Sequence, residues 1–184
     1  MDPRPLRADA RRNQERLLTA ARDAFTEHGE RASLDDIVKR AGVGPGTLYR
    51  HFPNRAALLA AVFTQDVTSL AAQAKELSAA LPPMEALTAF LRVQVEYGKS
   101  RIGVGVAVKA MFCSDSEVLN WCRDTLCAAV SVLLEAAQRE GEVRADIEPL
   151  LVLRLAHSVA AASEFSPGVS DRMLAIVIDG LRQR

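Results

Sequence analysis

"GVGPGTLYRHFPNR", residues 42–55, sets three glycines and two prolines around a compact Thr-Leu-Tyr-Arg-His-Phe centre. Glycine and proline are the poorest residues in a helix interior, so their positions matter more than their number. Gly44 suits an N-cap, and Pro45 suits the first helical position, where its missing N–H costs nothing. Leu48 and Phe52, four apart, point to one core, and Pro53 disfavours helical geometry at Phe52 and ends the segment. The breakers are therefore boundary marks for a helix of about two turns. Its remaining face presents Pro45, Gly46, Thr47, Tyr49, Arg50 and His51.

Upstream, "SLDDIVKRAG" predicts another short helix. Ser33 stands at its cap, Asp36 completes a capping-box-like pair, Leu34, Ile37, Val38 and Ala41 point inward, and Gly42 stops it. Before that, "NQERLLTAARDAFTEHG" places Leu17, Leu18, Ala21, Ala24, Phe25 and His28 on one stripe, with Gly29 as C-cap. Residues 1–10, with two prolines and no periodicity, are expected to form a loose basic arm. A helix, a short helix, a tight glycine turn and a second short helix make a helix-turn-helix. Hydroxyls and cations on the outer side of its last member suit a groove of DNA better than protein packing.

The chain has 184 residues, 49% hydrophobic and 25% charged, with a formal net charge of zero. That suffices for one large domain or two small ones. Residues 1–63 hold 11 Lys/Arg against 8 Asp/Glu, and the remainder 12 against 15, so a basic head sits on an acidic body. No apolar run reaches the roughly 18 residues of a membrane span, and the N-terminus lacks the apolar centre of a signal peptide. Cys113, Cys122 and Cys127 are too few and too odd for a disulfide framework. A reduced, cytoplasmic protein is expected.

Asn54 is a good cap for a long helix, "RAALLAAVFTQDVTSLAAQAKELSAAL", with Leu58, Leu59, Val62, Val67, Leu70, Ala74 and Leu77 inward. "PP" at 82–83 ends it. Helices follow at roughly 84–100, 104–113, 115–140, 147–164 and 170–183, punctuated by Gly98/Gly103/Gly105, "SDS", Gly141 and "SPG". No stretch alternates as a strand does, so the fold class is all-α.

Residues 33–63, with the helix before them, resemble the tetracycline-repressor-like (TetR) family of bacterial transcription regulators. The likeness is carried by Ser33, Ile37, Ala41-Gly42-Val43, then Gly46-Thr47-Leu48-Tyr49-Arg50-His51-Phe52, Arg55 and Leu58. Three positions depart from the family pattern: Gly44 where serine is common, Val38 where alanine is usual, and an acidic Asp35 on a helix that can face DNA. The resemblance implies an N-terminal DNA-binding head, residues 1–54, and a C-terminal helical body, residues 55–184, that binds a small effector and dimerises. It implies backbone contacts for Thr47, Tyr49 and His51, a phosphate contact for Arg55, and a groove or base-edge position for Pro45, Gly46 and Arg50. Amides at the helix start at Ser33 join the phosphate contacts, and Arg50 suits the paired acceptors of a guanine. Arg11 and Arg12 are candidates for an adjacent groove. For Tyr49 and His51 the other reading is a cap over the head's own core.

The expected partners are a double-stranded, near-palindromic DNA operator, a small-molecule effector, and a second copy joined through the last two helices, whose sequences are apolar around more than one face. Effector-lining candidates are Phe90, Tyr97, Met111, Phe112, Trp121, Cys122, His157 and Phe165, each of which could equally be ordinary core. Cys122 and Cys127 are either redox-sensing or small buried hydrophobes. No cofactor, metal or catalytic residue is expected. His28, His51 and His157 lie apart, no H-E-x-x-H or C-x-x-C occurs, and the glycine loop lacks the strand of a dinucleotide site. The expectation is a ligand-responsive DNA-binding regulator, a repressor by the family resemblance. The alternative is a DNA-bound architectural or division-control protein on the same scaffold, without an effector.

Overall fold

A computed structural model describes residues 4–100, 117–163 and 168–183. Among them are eight α-helices and no β-strand: α1 Arg4–His28, α2 Leu34–Ala41, α3 Pro45–His51, α4 Arg55–Ala80, α5 Pro83–Ser100, α6 Glu117–Arg139, α7 Pro149–Ala162 and α8 Ser170–Leu181. A single 3-10 turn, Gly29–Arg31, joins α1 to α2. The helix expected at 104–113 lies outside the described residues.

The basic arm is helical from Arg4 onward, because α1 takes in residues expected to be loose. Pro5 falls in the first turn, where no backbone N–H is needed, and the arginines, alanines and leucine that follow are good helix formers. Ser33 does occupy the N-cap of α2, but its side chain makes no capping bond. Asp36, its expected capping-box partner, instead pairs with Arg40 at 2.7 Å, one turn along α2. Arg40 also reaches Glu27 of α1 at 2.8 Å, and this carboxylate, with Asp36, raises the guanidinium pKa.

The head is built where α1, α2 and α3 bury Leu17, Ala21, Phe25, Ile37, Ala41 and Leu48, all at 2% exposure or less. This group continues without a break into the body, ending at Leu181 of α8. In the body α4 packs broadly on α6, and α5 on α7, with α8 laid against α7 and α5. The α4 face is wider than its periodicity predicts, since Phe63 and Asp66 are buried alongside Leu58, Val62, Val67, Leu70 and Ala74. The C-terminus is tied down by backbone bonds from Arg144 to Leu181 and from Gln183 to Glu142, each 3.0 Å.

Gly98 does not punctuate the chain: α5 runs through it to Ser100. A Cβ at Gly98 would stand 2.5 Å from the Cβ of Ala160 on α7, so the glycine permits close approach of two helices. Gly98→Ala is expected to lower the denaturation midpoint. The ~1–3 kcal/mol cost of overpacking outweighs the ~1 kcal/mol of helix propensity gained. A raised midpoint would mean that α5 and α7 separate freely.

Candidate nucleic-acid interface

α3 is bounded as its breakers dictate. Gly44 has an extended N-cap conformation, Pro45 opens the helix, and Phe52 closes it by donating its N–H to Leu48 O at 2.7 Å. Leu48 and Phe52 are the anchors, 2% and 5% exposed. The opposite face is bare. Pro45, Gly46, Tyr49 and Arg50 are exposed, Tyr49 at 54%, while Thr47 and His51 are half-buried. His51 lies against Phe52 with ring centroids 6.1 Å apart. The side chains of Thr47, Tyr49 and Arg50 make no hydrogen bond or ion pair with the described residues, so Tyr49 is no cap over the core. A Cβ at Gly46 would meet nothing within 4 Å. Packing inside the protein therefore gives no reason for a glycine there.

The turn that aims α3 is held from α1. Gly42 ends α2 at φ +62°, a left-handed geometry that suits glycine. Arg16 of α1 donates to Gly42 O at 3.2 Å, and Val43 N–H donates to Val38 O at 3.3 Å. Ser33 is exposed at the start of α2, where the first amides of the helix are oriented toward an incoming anion. Of the N-terminal arginines, Arg11 faces Glu15 at 3.5 Å and Arg12 pairs with Asp9. Both lie on the exposed side of α1.

Arg55, expected at a phosphate, is engaged within the protein. Its guanidinium donates to the carbonyls of Ala32 and, at 3.2 Å, Gly29, and sits 4.9 Å above the ring of Phe25. It thus satisfies acceptors where α1 ends and fastens that end to the first turn of α4. Arg55→Ala is expected to cost about 1–3 kcal/mol of stability, from charge-assisted bonds and a cation–π contact. The slope of log affinity against log salt should stay unchanged; a fall of about one unit would return Arg55 to the phosphate contacts.

The body candidates scatter. Phe90 and Cys122 are wholly buried core, and Trp121 is 45% exposed on α6. Tyr97 is half-buried and donates its hydroxyl to Asp66 Oδ2 at 3.2 Å. His157 is half-buried on α7, where burial disfavours its imidazolium and lowers its pKa. Met111, Phe112 and Phe165 lie outside the described residues. Burial raises the thiol pKa values of Cys122 and Cys127, which disfavours the thiolate needed for redox sensing.

Of the four buried polar residues among those described, two lie on the inward faces of α4 and α5. Asp66 is 7% exposed on α4, and Gln94 is 9% exposed on α5 with no acceptor for its amide nitrogen among the described residues. The signal was present: each is a polar residue four positions from apolar inward neighbours, Val62 and Leu70 for the first and Phe90 for the second. Among the described residues no cluster of His, Cys, Asp or Glu could hold a metal ion, and no helix is long and apolar enough to cross a membrane.

The model for bacterial regulatory proteins of the tetR family matches residues 17–62, and that for the C-terminal domain of SbtR-like transcriptional regulators matches residues 82–183. Among solved structures, the TetR transcriptional regulator SCO0520 from Streptomyces coelicolor is 35% identical with a TM-score of 0.74, covering 92% of this chain and 98% of its own. The TetR transcription regulatory protein from Mycobacterium vanbaalenii is 37% identical with a TM-score of 0.73, covering 97% and 99%. The HTH-type transcriptional regulator UidR of Escherichia coli K12 is 28% identical over 163 residues, 82% of this chain and 79% of the relative.

Proposed function

Because the chain belongs to the tetR family of DNA-binding transcriptional regulators, we propose that it acts as a homodimeric repressor, released from a near-palindromic operator by a small molecule. The observation that carries this reading is the outer face of α3, where Tyr49 and Arg50 are exposed while Leu48 and Phe52 hold the helix to the core. Phosphate contacts orient such a helix and base-edge contacts select the sequence. Thr47, Tyr49 and His51 take the backbone together with the first amides of α2 at Ser33. Arg50 reads a base edge, and Pro45 and Gly46 give the close approach.

Dimerisation through α7 and α8 is supported by the apolar side chains they leave in water: Leu151 is 43% exposed and Ile176 72%. Two heads held by one dimer reach half-sites about one helical turn of DNA apart, or a multiple of it. Effector binding in the body is supported by Gln94. Its amide nitrogen has no acceptor among the described residues; a buried donor left so costs about 1–3 kcal/mol, and an acceptor on a ligand would remove that cost. α4, which begins in the head and runs through the body, is the lever. An effector releases DNA only to the extent that it prefers the head spacing that misfits the operator. This activity places the protein in the cytoplasm, with the chromosome.

The test is selection of bound fragments from the source genome by the purified full-length chain, followed by footprinting. Two symmetric protected half-sites and two chains per site are expected, with transcription from the adjoining promoter reduced. A single, asymmetric footprint bound by one chain would overturn the dimeric reading, and binding without sequence preference would overturn the regulatory one.

A further inference from the structure

Arg22 of α1 grips two successive residues of α4: its Nε donates to Asp66 Oδ1 at 2.7 Å and its Nη2 to Gln65 Oε1 at 2.8 Å. The other oxygen of Asp66 accepts the Tyr97 hydroxyl from α5 at 3.2 Å. One carboxylate, 7% exposed, is thus shared between the head's first helix and the body's second. Arg55 makes a separate fastening of α1 to α4, about 16 Å away along the helix axis at ~1.5 Å per residue. With α1 held at both points, the head and the first three turns of α4 form one mechanical unit. At the second point α5 joins that unit, and α5 also carries the buried amide of Gln94 one turn before Tyr97.

We propose that Asp66 is the positioning residue through which the body sets the head, because its carboxylate is divided between Arg22 and Tyr97. The proposal rests on the operator-binding reading above and adds the residue that regulates it. A carboxylate removed from water needs its donors, since the low dielectric that strengthens each bond also raises the cost of breaking one. A shift of α5 along α4 withdraws the Tyr97 hydroxyl, and the carboxylate and Arg22 then readjust together. The shared arrangement is the operator-competent one. Arg22 has the reach to answer such a shift, because its side chain is 31% exposed rather than locked in the core.

The experiment compares full-length wild type with Asp66→Asn, Arg22→Gln, Tyr97→Phe and the Arg22→Gln/Asp66→Asn double variant. It measures affinity for the selected operator fragment and for a random duplex of equal length, alongside denaturant unfolding. Asp66→Asn and Arg22→Gln should each lower the operator-to-random ratio about tenfold, with the double variant no worse than the poorer single, as expected for one shared link. Tyr97→Phe leaves the ion pair and lies in the body, yet it should lower the ratio severalfold. A residue that only supports the fold would change the unfolding curve and leave the ratio at its wild-type value; that result overturns the proposal. If Asp66→Asn does not fold, Tyr97→Phe decides by the same criterion. A wild type with no preference for any fragment would overturn the operator-binding reading itself, whereas a preferring wild type with unchanged variants overturns this inference alone.

Discussion

Leu48→Ala is expected to lower unfolding free energy by about 2–5 kcal/mol and to take operator binding with it, although Leu48 faces away from the exposed side of α3. The side chain is 2% exposed, so truncation removes buried apolar area and leaves a cavity beneath a helix only seven residues long. A helix this short has little stability of its own. Its angle to the head comes from Leu48, Phe52 and the turn at Gly42. Denaturant unfolding and operator titration on the same sample check both halves. Wild-type affinity in a destabilised Leu48→Ala protein would show that α3 is positioned by its caps and turn, without its core anchor.

Arg50→Ala is expected to give the converse result, an unchanged unfolding curve with operator affinity lowered by ~1–3 kcal/mol for each bidentate pairing with a base that the guanidinium makes. Arg50 is exposed and makes no ion pair with the described residues, so its removal breaks nothing inside the protein. The drop should be largest at the preferred operator. An equal drop on random duplex would make Arg50 a phosphate contact, since backbone contacts carry no sequence information. Together the two variants separate holding the helix from reading with it.

Much of the head was legible because its rules are local. Gly44, Pro45, Phe52 and Asn54 stand where the breaker and capping preferences put them, and Asn54 Oδ1 accepts from Ala57 N–H at 2.8 Å. Gly42 takes the left-handed conformation a helix stop asks for. The body was legible as helices, whereas its inward polar groups were not. Phe90 and Cys122 are wholly buried, Trp121 is 45% exposed, and the buried polar residues Asp66 and Gln94 stand among apolar neighbours. A periodic pattern says which side of a helix is inward. It does not say what an inward polar group will meet.

The sequence by itself determined the all-helical plan, the ends of α2, α3 and α4, and the outward display of Tyr49 and Arg50, since each follows from neighbours within about one turn. Only the tertiary structure decided how the charged and small residues are used. Arg55 meets a carbonyl 26 residues before it, Arg22 meets a carboxylate 44 residues after it, and Gly98 makes room for Ala160. The reason is physical. Backbone propensity and capping are short-ranged, whereas the partner of a partly desolvated charge, or the neighbour of a missing Cβ, is whatever the folded chain brings within a few ångströms.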